Sequence, residues 1–202
     1  MKHQSHALTI ALLATSALGL AACSPSESIS EPNGSPSTST TTDTKTVMAS
    51  TIDNQDVPGE YSTESTGTFT GEMKSELRTA DIRSGSHEGY DRVVFEFEGN
   101  GTPEFLAGYS DEPLQQASGL PVDVPGEAAL EITIHGTSLD QTPDAKYAGK
   151  TTLGLASGNI KDVTNSGTFE AVSQYFIGLD KQRPYKVTVL ENPTRVVVDV
   201  QK

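Results

Sequence analysis

From about residue 70 onward the chain is written in period two. Residues 92–98 place Val93, Phe95 and Phe97 on one side and Arg92, Val94 and Glu96 on the other. Residues 129–135 set Leu130, Ile132 and Ile134 against Glu131, Thr133 and His135, and residues 195–200 turn Val196, Val198 and Val200 one way. Successive side chains of a pleated strand point to opposite faces, so this pattern demands strands with one face in a core. Residues 77–83, 104–109, 172–179 and 185–190 carry weaker versions, rich in β-branched and aromatic residues. In 172–179 the expected buried set is Tyr175, Ile177 and Leu179.

The punctuation agrees. Glu191-Asn192-Pro193-Thr194 separates the last two strands and reads as a closing hairpin, because Pro193 cannot continue a ladder. Other breaks carry Gly99-Asn100-Gly101, Ser118-Gly119 and Pro125-Gly126. No segment shows sustained helical periodicity, although a helical turn fits residues 111–116. The expectation is an all-β domain over 70–202. It is an antiparallel β-sandwich or partly open barrel of seven to eight short strands. Residues 140–152 form its longest unpatterned stretch and are expected as a loop over one end of the sheets.

What precedes residue 70 reads differently. Lys2, with His3 and His6, leads an uncharged Ala- and Leu-rich run over residues 7–20. That run has the length of a secretory h-region and is short of the ~20 residues a spanning helix needs. It closes on Leu20-Ala21-Ala22-Cys23: an aliphatic residue, two small ones, then the chain's one cysteine. This is the pattern of a bacterial lipoprotein signal, in which the Cys23 thiol accepts diacylglycerol before cleavage. Residues 1–22 are therefore expected as a signal peptide and Cys23 as the lipid attachment site. The anchor lies on the extracytoplasmic face of the cell membrane. Two or three acyl chains, at ~0.8 kcal/mol per buried CH₂, hold a protein where one is marginal. A lone cysteine also excludes an intramolecular disulfide, so the core alone must hold the domain.

Residues 23–69 read as a disordered tether. Ser, Thr and Pro dominate its first half, and residues 37–42 are an unbroken hydroxyl run. Too few apolar residues are present to offset the entropy of ordering. As a flexible coil it spans roughly 40 Å, within reach of a cell wall. Seven acidic residues and one lysine lie between Ser24 and Phe69, and the chain carries a net charge of −13. That balance argues against nucleic acid and against adhesion to anionic surfaces.

Chemistry-bearing residues are sparse. Ser86 and His87, with Glu88 and Asp91 nearby, invite a hydrolase reading. There is no G-x-S-x-G elbow, and sequence neighbours on a loop do not align as a triad. Glu96 and Glu98 share a strand face, as solvated charges commonly do. No H-x-x-x-H, cysteine pair or EF-hand loop is present; Asp111, Glu112, Asp140 and Asp144 are the acids available to gather calcium. No cofactor is expected. Trp is absent, so a sugar-stacking surface falls to Tyr90, Tyr109, Tyr147, Tyr175 and Tyr185, with Arg92 or Arg195 bonding acidic or amide groups. The alternative is that these tyrosines cap the core, with the arginines paired to cross-strand neighbours such as Glu96 or Asp199. Val94 and Val197 sit on otherwise charged faces and need a cover, either internal or a partner.

Three segments together resemble a known family. They are Gly89-Tyr90-Asp91-Arg92-Val93-Val94-Phe95-Glu96-Phe97; Ser166-Gly167-Thr168-Phe169-Glu170 followed by Ile177-Gly178-Leu179 and Arg183-Pro184-Tyr185; and Pro193-Thr194-Arg195-Val196-Val197-Val198-Asp199-Val200. In this order they look like the AMIN-like domain of actinobacterial envelope lipoproteins, a distant relative of the AMIN domain of peptidoglycan amidases. The resemblance covers residues 75–201. It implies a β-sandwich-like fold and a non-catalytic role in targeting to the cell wall or to envelope assemblies. The expectation is thus a membrane-anchored, non-enzymatic module binding cell-wall glycan or peptidoglycan, with Tyr90, Arg92, Tyr175 and Arg195 as candidate ligand contacts. A protein-interaction module of an envelope complex is the alternative, and a hydrolase a minor one.

Overall fold

The structure is a computed structural model that describes residues 59–72, 74–138, 147 and 149–202. The expected signal peptide, Cys23, the tether up to residue 58 and most of the 140–152 loop, with Asp140 and Asp144, lie outside the described residues.

Among the described residues ten strands run in order: β1 (Thr66–Gly67), β2 (Glu76–Ser86), β3 (Tyr90–Asn100), β4 (Glu104–Ser110), β5 (Ala128–His135), β6 (Thr151–Thr152), β7 (Ile160–Phe169), β8 (Val172–Leu179), β9 (Tyr185–Leu190) and β10 (Thr194–Gln201). They form two antiparallel sheets. One has six strands in the order β1-β4-β5-β8-β7-β6; the other has four, β2-β3-β10-β9. The architecture is a β-sandwich, and no barrel closes among the described residues.

Period two does what it demands. Val93, Phe95 and Phe97 of β3 and Val196, Val198 and Val200 of β10 face Leu130, Ile132 and Ile134 of β5 and Tyr175, Ile177 and Leu179 of β8 in one core. Each such side chain contributes ~1.5–3 kcal/mol on leaving water. This is the stabilisation a domain without disulfides requires.

The seven expected strands are all present, as β2 to β5 and β8 to β10. Three more were not expected. β1 and β6 are two residues long, too short to carry a period. β7 does not alternate, because its register against β8 shifts between Ile160 and Asp162 and again between Asn165 and Gly167. The turn expected at 111–116 is displaced: Ser118 and Gly119 donate to the Gln115 carbonyl, and no helix forms there. Residues 59–69, expected within the tether, are laid on the domain. Ser62 bridges Tyr185, and Thr66 and Gly67 pair with Ala107 and Leu106.

Residues 111–127 run back over the outer face of the six-stranded sheet. Gln174 of β8 donates to the Leu114 carbonyl at 3.0 Å and accepts from the Gln116 amide at 2.9 Å, while Gln115 donates to the Ser166 carbonyl at 2.6 Å. The approach is closest at Gly178, where a Cβ would sit 1.9 Å from the Pro125 carbonyl oxygen. This cover explains why all eight residues of β8 are buried. It leaves the β4–β5 side of the same face open.

Candidate functional site

The four residues singled out from the sequence do not share a surface. Tyr90 and Arg92 on β3 and Arg195 on β10 take the outward positions of the four-stranded sheet, as the alternation requires. Arg92 is 1% exposed and grips its cross-strand neighbour Asp199 with both arms of its fork, Nε to Oδ1 at 2.6 Å and Nη2 to Oδ2 at 2.8 Å. The Tyr90 ring lies under Arg92, 4.9 Å from Cζ, and stacks on His87 at 4.8 Å. Arg195 is buried and donates to the Pro193 carbonyl at 3.1 Å. Tyr175 belongs to the other sheet and points into the core. Its ring is 4.7 Å from Phe95 and its hydroxyl 3.2 Å from Thr79 Oγ1, and burial pushes its phenol pKa up.

The other three candidate tyrosines, Tyr109, Tyr147 and Tyr185, spend their hydroxyls internally. Tyr185 lies 2.8 and 3.0 Å from the Glu64 and Ala107 carbonyls, and burial pushes its pKa up to about 12. Tyr109 donates to the Arg183 carbonyl, and Tyr147 donates to Asp81. Ser86 donates to Asp91 at 2.6 Å while His87 turns to Tyr90, so these three do not line up as nucleophile, base and orienter. Glu96 pairs with Arg83 at 3.0 Å. Among the described residues no group of three or more His, Cys, Asp or Glu is placed to hold a metal ion.

The open side of the six-stranded sheet holds a groove of about 570 Å³. Its floor is two directly opposed pairs of outward residues, Leu106 with Thr133 and Gly108 with Glu131. The segment entering and leaving β1 supplies one wall with Ser65, Thr66, Gly67 and Phe69, and Tyr109 lies at one end. The walls are close because two residues lack side chains. A Cβ on Gly67 would come within 2.6 Å of Leu106 Cδ2, and one on Gly108 within 2.5 Å of Ser65 Oγ.

Phe69 stacks on His135 with ring centroids 3.8 Å apart. Desolvation lowers the His135 pKa, opposed by Glu104, so the neutral ring is favoured against Phe69. Glu131 accepts from Gln174 Nε2 at 2.6 Å, which orients the carboxylate from beneath the 111–127 cover. Leu106 is 47% exposed, a large aliphatic side chain left open in mid-strand.

The lining thus combines hydroxyls, one oriented carboxylate and the exposed Leu106 side chain, and it contains no Lys or Arg. Such a surface can exchange hydrogen bonds with hydroxyl and amide groups while packing their carbon faces. It offers nothing to a polyanion. The sequence carried two of its signals: Glu131 and Thr133 on the outward side of β5, and an apolar Leu106 beside Ala107. It carried no sign of the wall, because the two-residue β1 is set by pairing at an edge.

Fold and groove together give an antiparallel sandwich domain with one partly open sheet face. Residues 77–202 match the AMIN-like domain family, and the chain belongs to that family. No curated protein and no solved structure matches it.

Proposed function

We infer that this is a non-catalytic cell-envelope lipoprotein whose AMIN-like domain binds peptidoglycan through the β1–β4–β5 groove. The observation that carries the reading is the lining of that groove. Leu106, Thr133, Ser65 and the oriented Glu131 suit the alternating hydroxyl, amide and carbon surfaces of a glycan with peptide branches. The absence of a cation among the lining residues disfavours anionic wall polymers. Family membership supports a wall-directed role, and the Leu20-Ala21-Ala22-Cys23 signal supports delivery to the outer side of the membrane with Cys23 acylated.

Titration of the ¹⁵N-labelled, acyl-free chain with soluble peptidoglycan fragments tests the site. The expected amide shifts fall on residues 65–69, 106–109 and 131–133. Shifts confined to β3 and β10 would refute the groove. For the address, Cys23→Ala is expected to abolish incorporation of labelled palmitate, and persistent labelling contradicts the anchor.

A second reading has one observation behind it. Leu114 and Leu120 stand exposed on the 111–127 cover, bridged through Leu114 and Pro121. Apolar residues presented on a surface loop suit a protein partner in an envelope assembly.

A further inference from the structure

The 111–127 cover has a second flank. On its far side from the groove, residues 121–123 stand against β6 and β7 and leave a crevice of about 220 Å³. Strand register fixes its place. Gly108 and Glu131 of the groove floor, then Phe176, Thr164 and Thr152, are successive partners in one row across β4, β5, β8, β7 and β6. Phe176, in the middle of that row, is fully buried. The β6–β7 pair is three strand spacings, ~14 Å, from the β4–β5 pair, so the two clefts are separate.

The crevice forms where β7 breaks its ladder. Asn165 and Gly167 pair with Tyr175 and Gln174, consecutive residues of β8, so Ser166 is the extra residue of a bulge. A bulge re-aims a side chain and leaves one residue without its ladder partner. The Ser166 carbonyl is met instead by Gln115 Nε2 of the cover at 2.6 Å. Its hydroxyl is not met. Ser166 lines the crevice and is 2% exposed, and its Oγ has no hydrogen-bond partner among the described residues. A buried hydroxyl in that state is destabilising, and a ligand atom in the crevice would relieve it.

Thr152 and Thr164 are directly opposed and bring two more hydroxyls. Thr164 donates to the Asp123 carbonyl at 3.5 Å, which leaves Thr152 and Ser166 as the donors on offer. Lys150 adds a cation beside β6, and Pro121 with Val122 an apolar wall. Hydroxyl donors, one cation and an apolar wall suit a carboxylate carried by a small apolar residue. Asp123 in the lining and the net charge of −13 weigh against a dianion such as phosphate. The volume falls below the ~300–1,000 Å³ of pockets that enclose a whole ligand, so the crevice takes an end group.

We propose that this crevice binds the C-terminal carboxylate of a short peptide ending in a small apolar residue, with Ser166 and Thr152 as hydrogen-bond donors and Lys150 as the counter-ion. The site stands whatever the groove binds.

Titration of the ¹⁵N-labelled, acyl-free mature chain, carrying Cys23→Ser, with N-acetyl-alanyl-alanine in its D and L forms tests it. Saturable amide shifts are expected at residues 121–123, 150–152 and 164–167 with at least one form. The C-terminal amide of the same dipeptide is expected to bind at least ~10-fold more weakly, because it lacks the charge that Lys150 and the hydroxyls hold. Ser166→Ala is expected to weaken the acid at least ~5-fold while melting no lower than the native chain, since the hydroxyl it removes is unpartnered in the free protein. Lys150→Gln is expected to weaken it as well. No shift at these residues with either form overturns the proposal, as does an amide that binds as tightly as the acid, or undiminished binding in both variants. Glucuronate that shifts the same residues at lower concentration than the dipeptide assigns the crevice to a sugar acid and also overturns it.

Discussion

Arg92 shows how far a single residue can be read from sequence. Alternation put it on the outward side of β3 and made either a ligand or a cross-strand carboxylate its natural partner. The fork onto Asp199, with both side chains buried, is the second of these. Period two reports which face a residue takes and is silent about what covers that face, so the burial was not legible. Breaking a buried pair leaves a charge uncompensated, at a cost of ~3–5 kcal/mol. Asp199→Ala is expected to lose that much in urea denaturation, and the double replacement Arg92→Met with Asp199→Leu much less. An equal loss in both contradicts the pairing.

Asp180 is a more exposed case. The guanidinium of Arg183 bonds it through two nitrogens and holds its pKa at about 2, below its ordinary 3.8. A carboxylate depressed in the folded state stabilises above the unfolded value and loses that contribution as pH falls through the folded one. The Tm difference between the native chain and Asp180→Asn is expected to be full above pH 4 and to vanish towards pH 2. A difference that persists at pH 2 would exclude this linkage.

At the scale of the element, legibility followed length and alternation. β3, β5 and β10 declared themselves because one face is apolar throughout. β7 did not: two register shifts break its period, and Thr164, Asn165 and Ser166 lie buried in it. The β7–β8 hairpin closes on Glu170 and Ala171 with φ of 50° and 60°. A two-residue turn with positive φ at both positions matches strand twist but prefers Asn-Gly. An L-residue in this region costs roughly 1–2 kcal/mol. Ala171→Gly is therefore expected to raise stability by about 1 kcal/mol after the added unfolded-state entropy is subtracted. Calorimetric melting checks it, and a lower Tm would show that the Ala171 methyl packs in a way that outweighs the strain.

For the molecule as a whole, the two outer faces differ in how far they are covered. One is buried over Arg92, Val94, Val197 and Arg195; the other is half covered by residues 111–127 and open over β4 and β5. The all-β sandwich and its family were within reach of the sequence, because strand faces and three short segments carry them. The groove was not, because its walls come from an edge strand of two residues and from the absence of Cβ atoms at Gly67 and Gly108.

The central claim is that this groove recognises the wall. Co-sedimentation of the acyl-free mature chain with purified peptidoglycan sacculi, beside Leu106→Glu, tests it most directly. The native chain is expected in the pellet across salt concentrations. The variant, with an unchanged melt, is expected to bind at least ~10-fold more weakly, a difference of ~1.4 kcal/mol. A native chain that stays in the supernatant, or a variant that pellets as well as the native chain, contradicts it.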